Sequence, residues 1–504
     1  MINMDILNQL GTGFMSALTI QNLIACFAGV FVGTVVGVLP GIGPVGATAL
    51  LLPFSFGLDT STSLILLSGI FYGSMYGGST TSILLNVPGE SASMVTAIDG
   101  HEMAKKGRAG AALAVSAIGS FIAGTVGVVL LMIFAPPLGN FALSFGPQEY
   151  LSIAVLGMLL LSNLTGGSFL VSLGMFILGM IITTIGIDPI SGINRLSFDI
   201  LDLSKGIEML PVIMGLFGMA EVFSVAVEPY KVGELIKVKF RDLYPTKKEL
   251  KRSVAPILRG TAIGFPIGLI PGPAAVVSSL VSYKMEKNFS KHKEEFGHGA
   301  IEGVAGPESA NNAAASGTMI PLLALGIPFA PATAVLLSGF MLQGVAPGPT
   351  FISGHADLFW LIVASMYIGN VMLLILNLPL VGVFASLTKV RPEILMPIVV
   401  AVMMIGTYSV NNSTFDLLIL MIFGVIGYIL KIVNISPAPI IVGFVLGNVF
   451  EKGLRQSLLV AGGDFATLFM RPIAGSMYLV CLAVLIWVIV GQVKKKYKVS
   501  ISED

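Results

Sequence analysis

The sequence predicts an all-α polytopic membrane protein of roughly 10 to 12 spans, organised as two structurally repeated halves with broken helices and re-entrant hairpins. Hydrophobic residues occupy 55% of the 504 positions and charged residues only 11%, whereas soluble domains carry about 25% charged residues. Apolar runs of about 20 residues, the length that crosses a bilayer, recur along the chain. Two of these runs, one in each half, are interrupted by a Pro-Gly pair.

A basic linker divides the apolar runs into two groups. We assign residues 1–227 to a first membrane repeat, 228–259 to the linker, 260–472 to a second repeat, and 473–504 to an additional C-terminal helix with a basic tail. The linker contains nine Lys or Arg residues and four acids. Positively charged loops beside spans stay in the cytoplasm. We therefore expect the linker and the C-terminus on the cytoplasmic side of the cell membrane.

The relation between the halves depends on the side on which the N-terminus lies. No Lys or Arg precedes Lys105, so the charge distribution permits an outside N-terminus. The first half then crosses an odd number of times, and the halves begin on opposite faces, as an inverted repeat requires. With an inside N-terminus the repeat is not inverted, and hydropathy does not choose between the two. The chain start lacks the positive region of a secretory signal, so no cleavage is expected.

Composition disfavours several function classes. The net charge of +1 argues against a nucleic-acid partner. Cys26 and Cys481 lie far apart in apolar runs and the histidines show no ligand spacing, so no resident metal is expected. The sequence has no phosphate-binding loop ending in Gly-Lys-Ser/Thr, no zinc-protease helix and no nucleophile elbow. We therefore expect a protein that is not an enzyme and carries no cofactor.

The two interrupted runs mark the candidate site. The first break is Pro40-Gly41 and the second is Pro271-Gly272. Proline removes a backbone donor and stops a helix, and glycine adopts backbone angles closed to other residues. Lipid cannot satisfy the N–H and C=O groups freed by such a break, so they must face protein or a water-filled cavity. Matching breaks in two halves are the best sequence pointer to a transport site.

A segment of small and polar residues follows each break and ends at a proline. Its composition is typical of a re-entrant hairpin, because small side chains permit close packing. Its oxygens suit a small cation, and the N-terminal ends of half-helices attract a carboxylate without a buried Lys or Arg. We predict that the residues binding substrate or cation are Pro40, Gly41, Ser79, Thr80, Asn86, Pro271, Gly272, Asn311, Asn312 and Ser316.

Two questions stay open at this level. Small residues and Gly-Pro pairs also occur where helices only pack tightly, although two pairs in the same order in both halves favour a site. Glu221 ends an apolar helix near the linker, where it either takes part in coupling or reaches the interface. Glu302 and Glu308 flank the second hairpin and either bind a coupling cation or cap helices.

Three motifs resemble the large transmembrane (TctA-type) permease subunit of the tripartite tricarboxylate transporter family. The first runs through residues 37–53, 72–78, 86–90, 96–100 and 105–108, the second spans 296–313, and the third comprises 443–447, Glu451 and 454–457. The resemblance covers nearly the whole chain, and its first two motifs are highly specific.

The resemblance implies a secondary transporter that imports small organic carboxylates with an ion gradient, with sodium favoured over the proton as coupling cation. It implies two protein partners, a small four-helix membrane subunit and a periplasmic or lipid-anchored substrate-binding protein. It also suggests, by analogy, an inverted repeat with a moving domain in the lipid bilayer. The alternative functions are a passive channel and a non-transporting membrane scaffold.

The second half departs from the family pattern at two turns. The family usually has a glycine-rich run after the second Pro-Gly pair, where this chain has Pro-Ala-Ala-Val at 273–276. The family's Gly-Ile-Pro-Gly-Ser-like turn is Gly-Ile-Pro-Phe-Ala-Pro at 326–331. The second hairpin tip is therefore bulkier and more apolar, which predicts a less polar carboxylate than the usual di- or tricarboxylates.

Overall fold

The computed structural model describes residues 4–39, 42–164, 168–188, 190–227, 244–378 and 392–500. These residues are almost entirely α-helical, apart from an antiparallel ribbon in which β1 (Gly186–Ile187) pairs with β2 (Asn194–Arg195). The predicted all-α class is confirmed. Within the described ranges, five helical stretches are long and apolar enough to cross a membrane, namely Ile20–Val38, Ser93–Ala142, Met209–Val227, Ala356–Asn377 and Thr414–Ile432. The polytopic class is thereby confirmed, while the larger number of spans stays a prediction.

The described part of the chain contains the following helices. In chain order the described α-helices are α1 (Met4–Ala17), α2 (Ile20–Val38), α3 (Gly43–Leu51), α4 (Thr60–Leu85), α5 (Ser93–Met103), α6 (Ala109–Ala142), α7 (Pro147–Leu164), α8 (Phe169–Thr183), α9 (Leu201–Ser204), α10 (Met209–Ile213), α11 (Ala220–Val227), α12 (Lys247–Gly268), α13 (Ala274–Phe289), α14 (Glu302–Leu325), α15 (Pro331–Leu342), α16 (Pro349–Gly354), α17 (Ala356–Asn377), α18 (Pro392–Asn411), α19 (Thr414–Ile432), α20 (Ala438–Val460), α21 (Thr467–Met470) and α22 (Pro472–Ser500).

The chain forms two compact units. The first comprises Met1–Ala142, Glu208–Ile270 and Ala274–Ile429, and the second comprises Leu143–Ile207, Pro271–Pro273 and Leu430–Asp504. Each unit draws on both halves of the sequence. The division at the basic linker concerns repetition along the chain rather than compactness, so the assignment of repeats stays a prediction. The first half of the linker, residues 228–243, lies outside the described residues.

In the first unit, α2 packs closely on α4 because glycines recur on the contact face. Gly29, Gly33 and Gly37 follow one another at intervals of four residues, which places them on one side of α2. A Cβ atom at any of them would collide with a backbone carbonyl oxygen of α4, at Leu66, Ile70 and Ser74 respectively. Only glycine permits this backbone approach.

The helices α12 and α14 pack in the same way. Gly260, Gly264 and Gly268 repeat the four-residue interval, and a Cβ atom at each would collide with backbone of α14 at Gly306, Ala310 and Ala314. Both glycine series end three residues before a Pro-Gly pair, Gly37 before Pro40 and Gly268 before Pro271. A closely packed helix pair therefore accompanies each break. The inverted relation of the two halves stays a prediction.

Arginines of α12 form ion pairs with acids that follow in the chain. Arg252 contacts Glu295 at 2.5 Å and Glu302 at 2.7 Å, and Arg259 contacts the fully buried Glu286 at 2.5 Å. The Arg252 guanidinium holds the pKa of Glu295 below its usual range. Glu302 thus has a cationic partner in the folded protein. Glu221 borders a small, mainly apolar cavity beside α3, and its part in coupling stays an open prediction.

The second unit has its own helix packing and ion pairs. The helices α8 and α20 approach closely at Gly179 and Gly443, where a Cβ atom would collide with backbone of the partner helix. Arg455 contacts Asp188 at 2.8 Å and Glu451 at 3.0 Å, and Arg195 contacts Glu451 at 2.5 Å. Hydrogen bonds from Ser191, from the backbone at 190 and from Arg455 hold the pKa of Asp188 below its usual range. The third sequence motif therefore joins α20 to the loop that carries the ribbon.

Candidate functional site

The polar helices α4 and α14 of the first unit end in the same way. The residue after α4 is Asn86, with φ 57°, and the residue after α14 is Gly326, with φ 70°. Both lie in the left-handed region, which Gly adopts readily and Asn more readily than most residues. A proline follows each turn residue by two positions, Pro88 after Asn86 and Pro328 after Gly326. Each predicted segment thus ends in a turn, while its re-entrant path relative to a membrane stays a prediction.

Glu308, on α14, is a buried carboxylate that connects four helices. Its side chain is only 1% exposed. Ser79 Oγ of α4 donates to Oε2 at 2.6 Å, and Thr96 Oγ1 of α5 donates to Oε1 at 2.5 Å. Ser116 of α6 also donates a hydrogen bond to this carboxylate. The two polar segments that the sequence singled out therefore meet directly, through Ser79 and Glu308.

A second buried carboxylate, Glu90, lies in the turn between α4 and α5. Asn311 Nδ2 of α14 donates to Glu90 Oε1 at 2.6 Å. The Glu90 side chain fits against α4 at Gly78, where a Cβ atom would lie 2.9 Å from Glu90 Cγ. The amide oxygen Oδ1 of Asn311 is buried and has no hydrogen-bond partner among the described residues. Glu90 and Asn311 form a second contact between the two segments.

Ser79, Glu90, Thr96, Ser116, Glu308 and Asn311 constitute what we call the acid core. Among the ion pairs of the described residues, none includes Glu90 or Glu308, whose side-chain partners are hydroxyls and one amide. Glu286 and Glu302, which are also buried, each contact an arginine. A buried carboxylate without a counter-charge is costly. The acid core therefore holds two buried carboxyl groups that have no cationic side chain beside them among the described residues.

A cavity lies beside the acid core, between α4, α6, α14 and α17. About 20 Å³ of it is open to the centre of a water molecule, which is room for about one water. Asn312 and Ser316 line it from α14, and Tyr72 and Tyr76 line it from α4. The Tyr72 hydroxyl is buried and has no hydrogen-bond partner among the described residues. The cavity therefore offers a free hydroxyl in otherwise mainly apolar surroundings.

The polar groups of the cavity are held in place by hydrogen bonds between helices. Asn312 Nδ2 donates to Ser120 Oγ of α6 at 2.8 Å and to the Glu308 carbonyl oxygen at 3.0 Å. Tyr76 donates to Asn370 Oδ1 of α17 at 2.8 Å. Asn312 lies directly after Asn311, so consecutive residues of α14 face the cavity and the acid core. The two sites therefore adjoin each other on α14.

Asp99, on α5, fixes the loop that leads into α14. Its Oδ1 accepts hydrogen bonds from the backbone N–H groups of Gly297 at 2.8 Å, Gly299 at 2.8 Å and Ala300 at 2.9 Å. Its Oδ2 accepts from the Tyr283 hydroxyl at 2.9 Å. Gly297 and Gly299 have φ values of 86° and 103°, which glycine adopts without strain. This carboxylate is therefore fully hydrogen-bonded, and it joins the first two sequence motifs.

The structure brings four of the ten predicted site residues to the acid core or the cavity. Ser79 and Asn311 belong to the acid core, and Asn312 and Ser316 line the cavity. Thr80 is buried within α4, whereas Asn86 is exposed and ends that helix. Pro271 and Gly272 are buried, and Gly272 has φ 143°. Pro40 and Gly41 lie outside the described residues. That these residues bind substrate or cation stays a prediction.

Several residues of the site were missed by sequence reasoning. They are Tyr72, Glu90, Thr96, Asp99, Ser116, Ser120 and Asn370. Tyr72, Glu90, Thr96 and Asp99 all lie in the motifs that resemble the family, and the two acids there are polar residues between small ones. An acid in an otherwise small and apolar segment was the available signal. Asn370 belongs to α17, which no motif marked.

Comparison with known proteins agrees with the motif resemblance. The profile of the tripartite tricarboxylate transporter TctA family matches residues 23–442. A 52.8 kDa protein in the TAR-I ttuC' 3' region of Agrobacterium vitis is 47% identical over 502 residues, which cover 99% of this chain and 100% of that relative. A protein in the TAR-II ttuC' 3' region of the same organism is 45% identical over 241 residues, 48% of this chain and 100% of that relative. No solved structure matches.

These similarities and the fold lead to one assignment. The family profile spans most of the chain, and the first relative matches from end to end. The family is one of transporters, which fits a polytopic helical protein with a polar core, and the resemblance drawn from the motifs is confirmed. This chain belongs to the tripartite tricarboxylate transporter TctA family.

Proposed function

We propose that this chain is the large permease subunit of a binding-protein-dependent secondary transporter that imports small organic carboxylates. Family membership supports a component of a tripartite system. We assign it a small four-helix membrane subunit and a periplasmic or lipid-anchored binding protein as partners. We place it in the cell membrane with the linker and C-terminus in the cytoplasm, and with a sodium or proton gradient as the driving force for symport.

One observation carries the proposal. Two helices that end at matching left-handed turns bring their polar side chains together in an acid core, beside a cavity with a free hydroxyl. The Tyr72 hydroxyl, which has no hydrogen-bond partner among the described residues, is a donor suited to a carboxylate. The buried carboxyl groups would attract a cation. Because α14 contributes residues to both the acid core and the cavity, it would couple cation binding to substrate binding. A scaffold has no need for such an arrangement, and a channel has no need to couple two sites.

Reconstitution tests the proposal directly. The full chain, co-purified with its small membrane subunit and supplied with the binding protein, is placed in liposomes and offered labelled carboxylates. We expect accumulation above the outside concentration when an inward sodium or proton gradient is present, and only equilibration without one. Empty liposomes and liposomes without the binding protein are the controls. Equilibration alone, at the rate of a pore, would identify a passive channel, and no flux at all would identify a scaffold.

Substrate choice follows from the second hairpin tip. Ile327 and Pro328 are buried, and Phe329 and Ala330 are partly buried, where the family usually has a small glycine- and serine-containing turn. An apolar turn leaves fewer hydrogen-bonding groups for a second or third carboxylate. We expect unlabelled monocarboxylates and less polar dicarboxylates to compete for uptake more strongly than citrate. A clear preference for citrate over monocarboxylates in the same competition assay would contradict this.

A further inference from the structure

The acid core brings together two buried carboxyl groups, Glu90 and Glu308, neither of which forms an ion pair among the described residues. Glu90 and Glu308 are 8% and 1% exposed. Glu286 and Glu302 contact arginines, and Asp99 accepts three backbone N–H groups and a tyrosine hydroxyl. The side-chain contacts of Glu90 and Glu308 come from one amide and three hydroxyls. Two carboxylates in one dry site call for a positive charge.

A second and independent observation points to the same place. Asn311 Oδ1 is buried without a partner, although the Asn311 side chain is fixed by the 2.6 Å bond from Nδ2 to Glu90 Oε1. Buried polar atoms in folded proteins are almost always satisfied, so an exception needs an explanation, and a bound ion is one of the explanations that fit an acceptor oxygen. An acceptor oxygen beside a carboxylate is what a small cation binds, because hard cations prefer oxygen ligands.

We propose that Glu90, Glu308 and the amide oxygen of Asn311 form the site of the coupling cation, a proposal that rests on the function proposed above. The shared chemistry is a single positive charge on carboxylate oxygen. A sodium ion would be chelated by Glu90 and Asn311 Oδ1. A proton on Glu90 would be donated to Asn311 Oδ1, so that acid and amide pair through two hydrogen bonds.

The residues around the proposed cation site explain how a bound cation affects the cavity. The titratable groups facing the site are Glu308 of α14, which faces Glu90, and Tyr76 of α4, which faces Glu308. Tyr76 also borders the cavity and holds Asn370. The Glu308 carbonyl oxygen accepts from Asn312, which lines the cavity. Binding or release of the cation therefore acts on α14 and on Tyr76, and both elements line the cavity.

The test measures cation binding apart from transport. The melting temperature of the purified complex is recorded against sodium concentration at constant ionic strength with potassium as replacement, and separately against pH without sodium. Wild type is expected to be stabilised in one series, which identifies the ion. Glu90→Gln and Asn311→Leu are expected to lose that dependence. Two control variants outside the site are expected to keep it: Glu102→Gln, at a half-buried position of α5, and Asn377→Leu, at a buried position of α17. Glu90→Asp, the conservative variant, is expected to shift the midpoint about ten-fold.

Transport assays separate this proposal from the one on which it depends. In liposomes Glu90→Gln and Glu308→Gln are expected to exchange substrate across the membrane but to lose gradient-driven accumulation. If wild type accumulates carboxylate and these variants follow the same ion gradient, or if their melting temperatures respond to cations as wild type does, the acid core is not the cation site. If wild type itself accumulates nothing under either gradient, the proposed function fails.

Discussion

Asn312→Leu is expected to reduce carboxylate uptake, per molecule of protein in the membrane, about ten-fold or more. The variant removes the donor to Ser120 and to the Glu308 carbonyl oxygen, and it replaces the amide that lines the cavity with an apolar side chain of similar size. Leaving a buried partner unsatisfied costs about 1–3 kcal/mol, and about 1.4 kcal/mol corresponds to a factor of ten. Uptake of labelled substrate, normalised to membrane protein, measures the loss.

Asn377→Leu is the matched control for this variant. Asn377 is also a buried helical amide, but it bonds only within its own helix, to the Leu373 carbonyl oxygen, and it does not line the cavity. Its uptake is expected to stay within about two-fold of wild type, because the cavity is unchanged. Equal uptake by Asn312→Leu and wild type would remove α14 from the substrate site.

Gly264→Leu is expected to lower the yield of folded protein about five-fold or more. A Cβ atom at Gly264 would collide with the Ala310 carbonyl oxygen, so leucine must force α12 away from α14. Overpacking of this kind costs about 1–3 kcal/mol or more, and a change of about 1–2 kcal/mol alters abundance several-fold. The monodisperse peak in detergent size-exclusion chromatography measures the yield.

Gly174→Leu supplies the comparison for Gly264→Leu. Gly174 also lies within a helix, α8, but a Cβ atom there meets nothing within 4 Å. The same substitution therefore does not push two helix backbones apart, and the yield of this variant is expected to match that of wild type. If both variants express alike, the close approach of α12 and α14 does not stabilise the protein. Because Gly264 and Gly33 occupy corresponding places in the two helix pairs, Gly33→Leu is expected to behave like Gly264→Leu.

The sequence was most informative where a single residue type forces a backbone outcome. Asn86 and Gly326 end their helices in left-handed turns, and a proline follows each turn two residues later. Proline and left-handed residues act locally, so the end of each polar segment can be read from its letters. The glycine series of α2 and α12 are a local signal of the same kind, because a four-residue interval places the glycines on one helix face.

The partners of the buried acids could not be predicted from the sequence. From the sequence, Glu302 and Glu308 could each either bind a coupling cation or cap a helix. In the structure Glu302 contacts Arg252, whereas the described partners of the Glu308 side chain are hydroxyls. The two residues are six positions apart on one helix, and their surroundings come from helices far away in the chain. Glu90 was overlooked because its meaning depends on Asn311, which lies 221 residues later.

By itself, the sequence determined that this protein is an all-α membrane protein, and it placed a break at Pro271-Gly272. Composition, proline and glycine suffice for that, because their effects are local or additive along the chain. The family was recognised from the resemblance of three motifs, which the family profile confirms. Only the tertiary structure decided that Ser79 meets Glu308, that Glu90 meets Asn311, and that no described Lys or Arg forms an ion pair with either acid. Charge balance inside a protein is a property of neighbours in space, and close packing of α2 on α4 and of α12 on α14 selects those neighbours.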